Sequence, residues 1–256
     1  MMRGLGALLL LAAAPVAAAE QMLELTPRPG AVLRLLSDQP EGDIKGSVIL
    51  LAGGNGQLDI GADGSIGALR GNQLVRSRNG FVAAGYAYLL PDIASDLKQQ
   101  PSYRYKPAFA DDMAVLVSEA RKLQKPVHVI GTSRGAISAA ALFNGASPQQ
   151  PDSLVITSGM LISYKIPAAD SLSPGRIAVP VLLLRHRDDA CSVTPPHDAE
   201  RYAKLLKAAP RVDILTLTGG AQPKSDPCDA AHYHGFWGLD AEVVRSITSW
   251  FATLNP

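Results

Sequence analysis

The chain has 256 residues, of which 24 are basic and 23 acidic, giving a formal charge of +1. Its 47% hydrophobic content and lack of charge blocks suit a folded domain with a sizeable core, and offer no basic surface for nucleic acid. No amphipathic basic stretch argues for binding at a membrane surface.

The first residues, Met1-Met2-Arg3, lead into the apolar stretch Leu5 to Ala14 and then Pro15-Val16-Ala17-Ala18-Ala19. A basic start, a short apolar segment and an A-x-A site predict a signal peptide over residues 1–19, cut after Ala19. No later run reaches the roughly 18 apolar residues that a spanning helix needs. The expected product is an exported protein, periplasmic or secreted, in which residues 20–256 form one domain.

Met22–Thr26 and Ala31–Leu36, joined by Pro27-Arg28-Pro29-Gly30, predict an opening antiparallel hairpin. Ser47–Ala52 is a continuous apolar run, as expected of a strand buried on both faces. Further buried strands are predicted at Tyr86–Leu90, Val127–Ile130, Ser153–Thr157, Val181–Arg185 and Val212–Leu217. Helical patterns lie between them at Asn72–Ala84, Ala108–Leu123, Arg134–Asn144 (with Gly145 as its stop), Pro196–Ala208 and Asp240–Leu254. This alternation predicts an α/β fold: a mostly parallel eight-stranded sheet with helices on both faces. The connection from Ser158 to Val179 is too short for a large lid domain. Asp92 to Lys106, with Tyr103 and Tyr105, is the candidate loop cover, although both tyrosines equally suit surface packing.

Chemistry concentrates around Gly131-Thr132-Ser133-Arg134-Gly135, a G-x-S-x-G pentapeptide between a predicted strand and a predicted helix. In that context the central serine occupies a strained turn, held up at the carboxyl edge of the sheet above a helix N-terminus. A serine hydroxyl becomes a useful nucleophile only beside a base, and the base needs a carboxylate to fix its tautomer. Arg185-His186-Arg187-Asp188-Asp189-Ala190-Cys191 follows one buried strand and supplies the acid: Asp189, with Asp188 as the alternative. Cys228-Asp229-Ala230-Ala231-His232-Tyr233-His234-Gly235 follows the last strand and supplies the base: His234, with His232 as the alternative. Gly235 favours His234 by permitting a tight loop. His128 reads as a core histidine, His186 as support for the acid turn, and His197 as a solvated residue opening a helix.

A developing oxyanion needs two main-chain N–H donors. One is expected from Arg134, and the other from Ala52-Gly53-Gly54-Asn55-Gly56, with Gly54 preferred over Asn55. That glycine loop does not read as a dinucleotide site, because position 59 is Asp59 rather than a third glycine. Neither C-x-x-C nor H-E-x-x-H occurs, so no metal or cofactor is expected. An acid loop and a base loop that meet must also bring Cys191 and Cys228 together, and an exported chain with two cysteines favours a disulfide.

These motifs, with Asn72-Gln73-Leu74-Val75-Arg76-Ser77-Arg78, Pro91-Asp92-Ile93-Ala94-Ser95-Asp96 and His234-Gly235-Phe236, give the chain its likeness. It resembles the α/β-hydrolase superfamily, and more narrowly small exported bacterial members related in outline to dienelactone hydrolases and carboxylesterases. The resemblance implies a serine hydrolase acting on a small-molecule ester-type substrate. It departs from the commoner esterase pattern at Ala52, where that pattern has histidine. An acyltransferase, a peptidase or a non-catalytic binding protein on the same fold are the alternatives. Arg76 and Arg78 could bind a substrate carboxylate or, more simply, pair with Asp92 or Asp96.

Overall fold

The computed structural model describes residues 19–145 and 149–254, so the expected leader, apart from Ala19, lies outside the described residues. Eight strands form one sheet: β1 (Gln21–Leu25), β2 (Leu33–Asp38), β3 (Gly46–Leu51), β4 (Tyr86–Pro91), β5 (Val127–Thr132), β6 (Ser153–Thr157), β7 (Val181–His186) and β8 (Val212–Leu217). Their spatial order is β1-β2-β4-β3-β5-β6-β7-β8, with β1 and β2 antiparallel and every pair from β4 through β8 parallel.

Strand residues alternate between two cores, as the two-residue side-chain period requires. Ile49, Leu51, Val129, Leu154, Ile156 and Leu183 pack on one face with α2 (Pro107–Leu123), α3 (Gly135–Leu142) and α4 (Asp198–Ala203). Val48, Leu50, Ile130, Val155, Leu182 and Leu184 pack on the other with α1 (Gln73–Ala83) and α5 (Asp240–Ala252). Burial on both faces is why these strands read as unbroken apolar runs. Asn72 caps α1 through its side-chain oxygen, which accepts from Leu74 N–H.

Three expectations need correction. β8 has the expected span but is an edge strand, and Thr216 and Leu215 on it are exposed. The helix expected over Pro196–Ala208 lasts only six residues as α4, after which i→i+3 bonds at Leu205 and Leu206 tighten the chain into turns. α3 ends at Leu142 rather than Asn144, and its last turns also tighten, through Phe143 and Asn144. The connection after β6 holds only single 3-10 turns at Ala169–Ser171 and Pro174–Arg176, with no lid domain. Among the described residues no helix is long and apolar enough to cross a membrane.

Candidate active site

Parallel strands deliver their carboxyl ends to one edge of the sheet, and four loops converge there. The loop after β3 carries Gly53 to Gly56, the turn after β5 carries Ser133, the turn after β7 carries Asp189, and the long segment after β8 carries His234.

Ser133 sits at φ +53°, the left-handed region that a non-glycine side chain resists. Its neighbours hold it there: Ser133 N–H donates to Thr157 O at 3.0 Å, and its own carbonyl accepts from Ala136 and Met160, each at 3.0 Å. A Cβ on Gly131 would collide with the carbonyl of Gly135, and one on Gly135 with the carbonyl of Leu51. The two flanking glycines are thus required by the close approach of β5, α3 and β3.

Asp189 is buried with its carboxylate fully engaged. Oδ1 accepts from Cys191 N–H at 2.9 Å, while Oδ2 accepts from Thr194 Oγ1 at 3.3 Å and lies 2.9 Å from His234 Nδ1. With a carboxylate on Nδ1, that nitrogen carries the proton and Nε2 is left as the basic ring nitrogen. Thr194 Oγ1 lies 3.0 Å from the same Nδ1, so one hydroxyl touches both members of the pair. Asp188 points elsewhere, to Arg187 at 3.0 Å, and that pairing holds its carboxyl below the usual range. Between Asp188 and Asp189, the imidazole meets Asp189.

His234 and His232 also separate. His234 is buried beside Asp189, whereas His232 packs edge-on against Tyr233 and leaves Nδ1 without a partner. Gly235 is required as expected, but by close approach to the backbone of Ala230; the positive φ of this turn falls on Phe236, at +53°.

Ser133, His234, Gly54, Asn72, Gln73 and Cys228 line one cleft of about 280 Å³. Ser133 Oγ makes no hydrogen bond to the imidazole. The main-chain N–H groups of Gly54, Asn55 and Arg134 are without partners among the described residues. Of the two candidate loop donors, Gly54 shares the cleft with Ser133, while Asn55 lines a second cavity of about 490 Å³, as does Arg134.

The remaining histidines have other roles. His186 is buried, accepts from Asp188 N–H on Nδ1 at 3.1 Å, reaches Gly219 O from Nε2 at 3.1 Å, and stacks on Tyr233 at 4.7 Å. It therefore joins the turn after β7 to the segment after β8. His128 bonds Ser153 through Nδ1 at 2.7 Å and stacks on Phe251, and burial pulls its pKa down to about 3. His197 is exposed, as expected.

The disulfide forms between Cys191 and Cys228, with 4.5 Å between Cα atoms, linking the turn that carries Asp189 to the segment that carries His234. Arg76 and Arg78 pair with acids, but neither with Asp92 nor Asp96. Arg76 holds Asp240 at 2.8 Å and donates to the carbonyls of Gly71, Ala230 and Gly235; Arg78 holds Glu20 at 2.5 Å. Asp92 is committed to Leu58 and Ile60 N–H and to Lys98, and Asp96 to Arg28. Tyr103 is not a surface packing residue: it is buried, packs edge-on against Phe109 at 5.1 Å and lines the second cavity. Sequence reasoning missed Thr194 and the tie made by Arg76, because both act across long stretches of chain.

No protein-family model matches the chain, and no curated protein matches its sequence. Solved structures do match in backbone. An esterase of Pyrococcus furiosus, Pf2001, superposes with a TM-score of 0.65 at 13% identity, over 93% of this chain and 92% of that one. A sugar hydrolase of Lactococcus lactis, YeeB, gives 0.63 at 15% identity, over 93% and 100%. Est1E of Butyrivibrio proteoclasticus, solved with ferulic acid bound, gives 0.59 at 12% identity, over 91% and 98%. Strand order, the hairpin start and these superpositions agree: the chain has the α/β-hydrolase fold.

Proposed function

We propose that the chain is an exported serine hydrolase that cleaves an ester-type acyl bond through an acyl-enzyme on Ser133. The observation that carries this reading is the buried contact of 2.9 Å between Asp189 and His234 Nδ1, in the wall of a cleft that also holds Ser133 on its strained turn. Backbone neighbours named as esterases and hydrolases support the class of activity.

In this reading the Ser133 hydroxyl attacks the ester carbonyl carbon while His234 Nε2 takes its proton. The N–H groups of Gly54 and Arg134 stabilise the oxyanion. Collapse expels the alcohol, which leaves with the proton held on Nε2, and the acyl group stays on Ser133 Oγ. Water then attacks the acyl carbon, gives a proton to Nε2, and the acid departs as Ser133 recovers its hydrogen. Asp189 keeps the imidazole in one tautomer and stabilises the imidazolium. The open contact between Ser133 and His234 is compatible with this scheme, since such bonds often tighten only with substrate bound.

Ser133→Ala tests the reading. It should lower kcat on activated esters by on the order of 10⁶-fold and abolish labelling by a fluorophosphonate probe. A purified, folded Ser133→Ala protein that still cleaved nitrophenyl esters at a tenth of the wild-type rate would overturn it.

A further inference from the structure

Arg104 is the one buried arginine that meets no carboxylate among the described residues. Arg28, Arg76, Arg78 and Arg185 each hold an acid within 2.8 Å. Arg104, only 6% exposed, donates from Nε to Ser138 Oγ at 2.8 Å and lies over the Tyr103 ring at 4.8 Å. Its Nη2 is buried with no partner, and Nη1 has none either among the described hydrogen bonds. Burial, and then the neighbouring Arg134, pull its pKa below the usual guanidinium range. Leaving a buried charge unpaired is costly, and a carboxylate matches the guanidinium fork in shape and charge.

Arg104 lines the second cavity, of about 490 Å³, together with Arg134, Tyr103, Tyr105, Ile137 and Ile166 and no acidic residue; Nη2 is sealed off, so Nη1 is the nitrogen left for a ligand there. Gly56 of the proposed oxyanion loop presses against the guanidinium: a Cβ there would sit 2.6 Å from Arg104 Nη2. Chain neighbours divide between the two: Asn55 and Arg134 line this cavity, while Gly54 and Ser133 line the cleft. The cleft on the other side contains His234 and the exposed Asp229.

Resting on the serine-hydrolase reading, we propose that the Arg104–Arg134 cavity is an acyl subsite for a carboxylate, so that the preferred substrates are monoesters of dicarboxylic acids. The direction follows from the chemistry. The leaving oxygen must face the imidazole that protonates it, so the acyl chain runs away from His234, toward Arg134. Its length follows from the glycine loop: Gly56, which presses on Arg104, is two residues from Gly54, a span of at most about 7 Å. An acyl chain of about six carbons, as in adipate, spans that distance.

The test compares mono-(4-nitrophenyl) adipate with its methyl-capped, uncharged counterpart. The ratio of their kcat/KM values should exceed about tenfold in the wild type, as expected for a charge-assisted bond to a desolvated guanidinium. Arg104→Gln should bring it to about one. Should that variant misfold on losing the Ser138 bond, Ile166→Glu puts an internal carboxylate at a wall position that is 45% exposed, and should collapse the ratio likewise. A wild-type ratio of one or less, or a ratio that survives both substitutions, overturns the subsite. Calorimetric titration of adipate into Ser133→Ala keeps the two proposals apart. Binding there that weakens at least tenfold with Arg104→Gln supports the subsite even if Ser133 is not the nucleophile; no adipate binding to Ser133→Ala, when fluorophosphonate labels the wild type, counts against the subsite alone.

Discussion

Removing the disulfide by a combined Cys191→Ala, Cys228→Ala substitution perturbs the protein at two levels. The bridge closes a segment with a sequence separation of 37, for which chain entropy alone gives about 4 kcal/mol at room temperature. In a domain of this size each kcal/mol moves the melting temperature by about 2–4 °C, so the variant should melt about 8–16 °C lower. The second level is local. Cys191 N–H holds Asp189 Oδ1 at 2.9 Å, while Cys228 lines the cleft that contains His234. Releasing the bridge lets those two loops move independently, so kcat should fall well below the melting temperature, by about tenfold if one strong hydrogen bond's worth of positioning is lost. Circular dichroism melts give the first quantity and nitrophenyl ester kinetics at 25 °C the second. A melting temperature lowered by less than about 3 °C would refute the loop-entropy argument. An unchanged kcat would separate the bridge from the geometry of the site.

Asp189→Asn should cut kcat by on the order of 10⁴-fold, because an amide can impose the wrong imidazole tautomer; Asp188→Asn should change it less than about twofold, since the Asp188 carboxylate bonds Arg187. Equal losses in the two would undo the assignment of the acid. Thr194→Val removes the hydroxyl that touches both Asp189 and His234, and should lower kcat by about tenfold with KM nearly constant; a change confined to KM would assign Thr194 to substrate binding instead. His128 makes the fold acid-sensitive. Burial pulls its imidazole to about 3, while the unfolded chain binds the same proton near 6.5. Its contribution is therefore complete above about pH 6.5 and is lost toward about pH 3, at up to about 1.4 kcal/mol per unit. Urea titrations across that range should show a shallower pH slope in His128→Asn, and an identical slope would rule out His128 as the source.

The sequence was most legible where physics is local. β3, β6 and β7 announced themselves as apolar runs because both faces are covered, and the elbow glycines because backbones touch there. β8 was equally legible in position but not in environment: its place as the last strand in the chain does not say that it stands at the edge of the sheet and lacks an outer neighbour. α4 was overextended because Leu205 and Leu206 continue an apolar pattern that the chain uses in turns. In the candidate site, Ser133, Asp189 and His234 carry local signatures, and the structure brings the last two into contact. Thr194 carries none, for it is an ordinary loop threonine until the fold places it against His234. Arg76 likewise could not be matched to Asp240, which is 164 residues away.

That last contact has a consequence for how the protein comes to work. Arg76 extends from α1, meets Asp240 at the start of α5, and holds the carbonyls of Ala230 and Gly235 on either side of His234. A ribosome that has released everything up to β8 has made the whole sheet, yet the imidazole loop still lacks its anchor. In the proposed mechanism His234 is therefore seated only when the final helix docks, so regain of turnover during refolding should trail recovery of the sheet.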